Sequence, residues 1–283
     1  MKILELKSLI LSALISFVII GGGCATSRSN KISPPTKAFA QISSHILIET
    51  CEQASPQSCS SATLAHGKAS AVVVRHYRDP LSKSERSLIL TAGHVCVPVN
   101  PAMFGYDPTK DSLTTTTFSR KIVLMDYAGN IYDDVNIIIY DMGGDLCLME
   151  SERMPYSIPI KLSPRPPENG ERVLNIAAPL GIIHPPAVLI EEGFYVGECR
   201  APRCPTEISA WYSDINAAPG SSGSPIFISI GDKWMLVGMI HSVHSGFPSA
   251  PYSATLQQMR DFLTINFNSY IERRRRAATA AQE

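Results

Sequence analysis

The sequence predicts an all-β protein of two sequential β-barrels followed by one C-terminal α-helix, and three observations predict it. Short apolar, β-branched runs recur from about His66 onward between Gly, Pro and Asn turns. A Pro/Gly-rich piece, "SPRPPENGE" from Ser163 to Glu171, divides them into two sets. Only after Ser253 do apolar residues adopt helical spacing. The 283 residues are 45% apolar, enough for a substantial core. Twenty-five basic and 25 acidic residues leave a formal charge of zero, so no overall field draws the chain to nucleic acid. Partners must be recognised locally.

The N-terminal residues carry Lys2 and Lys7, then an apolar run from Leu9 to Ile20, then small residues and Cys24. A membrane span needs about 20 apolar residues, so this shorter run fits the apolar region of an export signal. Gly22 and Gly23 before Cys24, with polar Ser27 to Asn30 after it, resemble a bacterial lipoprotein signal whose cysteine is lipidated. Gly21 departs from that pattern, which usually has Leu there. The resemblance implies a signal over 1–24, lipid attachment at Cys24 and a membrane-held protein of the cell envelope; an uncleaved anchor or an ordinary signal are the alternatives. From Ala25 the chain is rich in Ser, Thr, Lys and Pro, and 25–65 reads as a tether and N-terminal extension.

Ten strand-like runs follow: 71–74, 88–91, 121–126, 135–140 and 146–149 in the first set, then 172–177, 187–190, 208–212, 226–230 and 235–240 in the second. They place barrel one at about 66–155 and barrel two at about 156–252. Leu256, Met259, Leu263, Phe267 and Tyr270 mark a helix over 253–272, with Ser253 available as its N-cap. The remaining 273–283, with Arg273 to Arg276 in a row, reads as a basic disordered tail.

Seven cysteines need places. If lipid takes Cys24, an even set of six is left in an exported chain, where disulfides persist. Cys199 with Cys204 is the best local pair and Cys51 with Cys59 the next. Cys96 and Cys147 either pair or stay as small buried thiols, and the reading prefers thiols.

The stretch "AAPGSSGSPIF", Ala217 to Phe227, suits a turn leading into a strand, but also a loop whose backbone N–H groups converge beside a serine hydroxyl. Such a serine needs a base and an orienting acid. "LILTAGHVC" places His94 just after an apolar strand, and "YDMGGDLCLME" places Asp145 just before another. Singly, each is more often a structural histidine or a turn aspartate. Together, in the order His, Asp, Ser, they match the triad order of two-barrel proteases.

"TAGHV", "DLCLM" and "PGSSGSP" therefore resemble the histidine, aspartate and serine motifs of trypsin-like, chymotrypsin-fold serine proteases of the compact bacterial or viral kind. "GERVLNIAAPLG", Gly170 to Gly181, resembles the strand that opens the family's second barrel, and "YSDINAAPGSSGSP" is similar to the serine segment of the high-temperature-requirement proteases. The resemblance spans roughly 66–265 and implies two six-stranded antiparallel barrels and a serine endopeptidase acting on protein or peptide substrates. It makes Ser222 the nucleophile, His94 the general base and Asp145 the group that fixes the imidazole, with the N–H groups of Gly220 and Ser222 as oxyanion donors. It sets His241 and Ser242 beside the scissile residue and Asn216 near the base of the specificity pocket; glutamyl endopeptidases carry a histidine one position from His241. It implies no cofactor and no metal, and the spacing of His241 and His244 with Cys199 and Cys204 fits no standard zinc site. Ser224 replaces a second glycine of trypsin, and Cys96 does not directly follow His94 as trypsin's cysteine follows its histidine. The alternatives are a catalytically silent binding lipoprotein in the same fold, and an α/β-hydrolase esterase, which would need an aspartate and then a histidine after the serine, where only 61 residues follow Ser222, and a helix-strand alternation that does not surround it.

Overall fold

The computed structural model describes residues 32–282 apart from 53–54, 101, 103–113, 182–186 and 245. Cys24 and the signal segment lie outside the described residues. The chain divides into two compact units, and the second, Pro34–Glu283, contains all the strands and helices described.

Thirteen strands are seen among the described residues, and they form two sheets. The first contains β1 (Phe39–Glu52), β2 (Ser55–Arg78), β3 (Glu85–Ala92), β4 (Thr114–Asp126), β5 (Ile131–Tyr132), β6 (Asn136–Asp141) and β7 (Leu146–Glu152), in the order β5-β4-β1-β2-β3-β7-β6. The second contains β8 (Arg172–Ala177), β9 (Leu189–Arg200), β10 (Ile208–Ser213), β11 (Pro225–Ile230), β12 (Lys233–His244) and β13 (Phe247–Ala254), which close into a six-stranded barrel. One helix, α1 (Leu256–Ala280), follows. This is the expected all-β architecture, with seven strands in the first sheet where six were expected. Its edge strand β5 is only two residues long.

β3, β8 and β11 read as largely continuous apolar runs because both of their faces are buried. In β3, Leu88 and Leu90 join a core shared by both sheets and the helix, while Ile89 between them faces the interior of the first sheet. In β11, Phe227 joins the shared core and its neighbours Ile226 and Ile228 fill the closed barrel. The alternation is the strand period of two, and each such side chain contributes about 1.5–3 kcal/mol by leaving water.

Three parts of the chain differ from expectation. β1 lies where the sequence reads as extension, yet it pairs with β2 from Phe39↔Val72 to Glu52↔Ser55 and with β4 along its other edge. β13 carries Pro248 and Pro251, which argue against a strand; it pairs with β10 at Ala210↔Ser253 and Trp211↔Tyr252, beyond both prolines. The helix is capped by Thr255 rather than Ser253, with a reciprocal box in which Thr255 Oγ1 accepts from the Gln258 N–H and Gln258 Oε1 from the Thr255 N–H. It runs to Ala280, past the limit of 272 and through the four arginines read as tail. Arg274 explains why: its guanidinium pairs with the buried Asp79 carboxylate, fixing the last turns against the first sheet.

Three disulfides are formed among the described residues. Cys51–Cys59 links cross-strand partners of the β1–β2 hairpin and Cys199–Cys204 closes a short loop. Cys96–Cys147 corrects the preference for free thiols: the two are far apart in sequence, but the β3–β7 pairing brings their segments together. Three disulfides belong to an exported or extracellular protein. Among the described residues no helix is long and apolar enough to cross a membrane.

Candidate active site

β3 delivers His94. The strand ends at Ala92 and the chain turns through one turn of 3-10 helix, Gly93–Val95. Gly93 permits the close approach of the next loop: a Cβ there would lie 2.8 Å from the Asp141 carbonyl oxygen and 2.9 Å from the Leu146 nitrogen. That loop is shaped by Asp141, whose carboxylate accepts from the N–H groups of Gly143 (2.9 Å) and Gly144 (3.1 Å). Asp145 then adopts φ +49°, a left-handed conformation few side chains tolerate outside turns.

The result is a doubly bonded pair. Asp145 Oδ1 accepts from the backbone N–H of His94 at 2.8 Å, and Asp145 Oδ2 lies 2.9 Å from His94 Nδ1. A carboxylate at Nδ1 places the proton there and leaves Nε2 with its lone pair. Burial alone would raise the Asp145 carboxyl, but the hydrogen bonds and charge of His94 bring it below the ordinary carboxylate value. Its side chain is 12% exposed, whereas that of His94 is 40% exposed and reaches the cleft.

β11 is preceded by the serine loop, whose backbone is pinned at several points. Gly220 has φ +99° and Gly223 φ +81°. The Gly223 N–H donates to the Ile240 carbonyl (2.6 Å) and Asn175 Nδ2 to Ser224 Oγ (3.1 Å). From the first sheet, Ser70 donates its N–H to the Ser222 carbonyl (2.7 Å) and its hydroxyl to the Gly220 carbonyl (2.9 Å). Ser221 is 1% exposed, and its Oγ accepts from the Ala218 N–H. Ser222 is half-buried. The N–H groups of Gly220 and Ser222 have no acceptor among the described residues.

Ser222 stands between two cavities. One of about 220 Å³ is shared with His94, Ser44, His66, Lys68, Val95 and Arg120. The other, of about 200 Å³, lies between the loop from Ala217 to Ser222 and the β12 residues Ile240 to Val243. His241 and Ser242 line it. His241 is buried, with Nδ1 2.9 Å from Ser242 Oγ and 3.9 Å from Asp145 Oδ2. Burial, with His94 close by, pushes its imidazole down to about 4 against the attraction of Asp145. Asn216 is elsewhere: it is exposed, it donates from Nδ2 to Glu191 Oε1 at 3.2 Å, and it lines neither cavity.

Sequence reasoning missed Ser70 and Arg120. Ser70 is fully buried inside an apolar strand and joins the serine loop to both sheets, also accepting from the Ala178 N–H. A buried serine within "ASAVVV" was its one visible signal, because a buried hydroxyl must find partners. Arg120 donates to the carbonyl of Val95, next to His94. Cys199 and Cys204 bond each other, which leaves no thiolate for a metal with His241.

A fold of two β units joined across a serine cleft defines a chymotrypsin-like protease, and comparison with known proteins agrees. Residues 69–239 match the trypsin-like peptidase domain family, and the chain belongs to it. It is a trypsin-like serine endopeptidase. Among solved structures, the active form of the Rv3671c protease of M. tuberculosis aligns with a TM-score of 0.53 at 12% identity over 81% of each chain. Its inactive serine-to-alanine form aligns with a TM-score of 0.53 at 10% identity over 87% of this chain and 94% of that one. At these identities the likeness concerns the fold. No curated protein matches the sequence.

Proposed function

We propose that this endopeptidase works through a Ser222–His94–Asp145 triad and an acyl-enzyme. The observation that carries the reading is that His94, bonded through Nδ1 to Asp145, faces the same cavity as Ser222. Ser222 Oγ attacks the scissile carbonyl and gives its proton to His94 Nε2. Asp145 holds the ring in the required tautomer and stabilises the imidazolium. The unengaged N–H groups of Gly220 and Ser222 receive the oxyanion. His94 then donates its proton to the departing amine, and water, deprotonated by the same nitrogen, hydrolyses the ester to release the acid and free Ser222. Ser221 is the wrong neighbour for this chemistry, since its oxygen is buried and bonded to Ala218.

Labelling with a fluorophosphonate tests the assignment. One probe per chain on Ser222, absent from Ser222→Ala and His94→Ala, is the expected result. A well-folded protein that stays unlabelled would favour the silent binding protein instead. We further infer export and tethering through a lipid on Cys24; loss of membrane fractionation in Cys24→Ala, with a lipid mass on the N-terminal peptide of the unaltered chain, is the expected outcome.

A further inference from the structure

The two cavities at Ser222 differ in charge. The one beside β12 is lined by Ala217, Ala218, Pro219, Ile240 and Val243 with hydroxyls and the buried His241, and it presents no carboxylate, lysine or arginine. The other carries Lys68 and Arg120 beside His66, and no carboxylate lines it. Among the described residues neither cation has an acidic partner. Lys68 Nζ donates to Ser43 Oγ at 2.7 Å, a neutral hydroxyl. Arg120 donates to the Val95 carbonyl, while its Nε is buried with no acceptor.

Lys68 and Arg120 line this cavity without a counter-charge, and a carboxylate that enters it supplies one. A planar guanidinium and a lysine ammonium on one wall favour a carboxylate, the group both bind through charge-assisted hydrogen bonds. The position of that wall identifies which part of the substrate meets it. On the triad reading, on which this inference rests, His94 protonates the departing amine, so the side of the cleft that holds His94 is the leaving-group side. An extended peptide advances about 3.3 Å per residue, so the first few residues after the scissile bond run along this cavity.

We propose that the enzyme selects substrates carrying an acidic residue on the leaving-group side of the scissile bond, read by Lys68 and Arg120. The acyl-side pocket has no fixed charge and sets a separate preference for an uncharged residue. The substrate class is therefore a protein segment in which an apolar or small residue is followed within about three positions by Asp or Glu.

The test uses quenched peptide libraries, degenerate on the acyl side and carrying Glu, Gln or Lys at each of the first three leaving-group positions. On the unaltered enzyme, kcat/KM for Glu should exceed that for Gln by about tenfold at one position, and the gap should narrow in high salt as screening grows. Lys68→Glu should turn the preference toward Lys, and Arg120→Gln should bring the Glu to Gln ratio close to one. Each ratio is taken within one preparation, so partial loss of fold cancels from it. Equal rates for Glu and Gln on the unaltered enzyme, or a ratio that ignores both substitutions, would overturn the inference. Fluorophosphonate labelling of the same preparation separates the two failures. A labelled enzyme without acidic preference removes this inference alone, whereas an unlabelled folded protein removes the triad on which it rests.

Discussion

His94 donates twice to one carboxylate: its backbone N–H reaches Asp145 Oδ1 at 2.8 Å and its Nδ1 lies 2.9 Å from Oδ2. The first bond fixes the turn and the second fixes the ring, so one side chain sets both the position and the tautomer of the base. Asp145→Asn keeps the size but can present an amide N–H to Nδ1. The ring then protonates on Nε2 and can no longer take a proton from Ser222. We expect kcat to fall by about 10⁴ with little change in KM. Steady-state kinetics on a cleaved peptide would check this, and a loss below about tenfold would remove Asp145 from the proposed mechanism.

Gly223 fixes the serine loop by having no side chain. At φ +81°, a Cβ would lie 2.1 Å from both the Ser70 carbonyl oxygen and Thr91 Oγ1, atoms held in the first sheet. Gly223→Ala should therefore displace the loop, lowering stability by about 3 kcal/mol and abolishing fluorophosphonate labelling. Gly231→Ala is the control, with φ +62° but no atom within 4 Å of its Cβ. It should cost only about 1 kcal/mol and label normally. Urea titration with labelling on both variants makes the comparison, and equal losses would mean that backbone strain alone, not contact with Ser70, sets the loop.

His94, Asp145 and Ser222 could be proposed from sequence because each sits in a local frame of strand and turn residues that sequence displays directly. Ser70 and Arg120 could not, since their roles arise from pairing: Ser70 meets the serine loop only because β2 crosses behind it, and Arg120 meets Val95 only when β4 is in place. Cys96 and Cys147 were ambiguous for the same reason, being joined through the β3–β7 register. β13 was hidden by its prolines and β1 by a neighbouring Ser/Thr-rich stretch. Asn216 was assigned by resemblance, but here its amide turns outward to Glu191 on β9. Two sets of strands were legible from the turn punctuation, although only the second closes into a barrel and the first is a seven-stranded sheet; its edge strand β5, two residues long, left no pattern to read.

Arg274 ties the end of α1 to the first sheet through Asp79, whose side chain is 1% exposed. Burial by itself would raise the Asp79 carboxyl, but hydrogen bonds from Arg274, Ser82 and Leu81 hold it well below the ordinary carboxylate range. The folded state thus favours the ionised form. Its contribution is present above about pH 4 and is lost as pH falls through the lower folded value. Arg274→Ala leaves a buried charge with only neutral donors, and should cost about 3 kcal/mol at pH 7. Asp79→Asn in the same chain should recover part of that loss. Urea unfolding of the three proteins would check both, and a double variant no better than Arg274→Ala would place the loss in helix packing instead.

His241 adds a second acid-sensitive element with the opposite charge logic. It is buried between Ser209 and Ser242, and its imidazole is held at about 4 against an ordinary 6.5. The folded state therefore favours the neutral ring, while the unfolded chain takes up a proton as soon as pH drops below about 6.5. Unfolding then binds a proton, so stability falls with pH from about 6.5 to about 4 and levels off once the folded ring is also protonated. A difference of that size corresponds to about 3 kcal/mol across the window. His241→Gln keeps polar atoms near Ser209 and Ser242 but does not titrate, so its stability should be flatter over this range. Urea titrations at half-unit steps from pH 7 to pH 4 would measure the difference between the two proteins. Parallel curves would mean that His241 is not buried as a neutral ring, and that the wall of the acyl-side pocket can carry a positive charge beside Asp145 at mildly acidic pH.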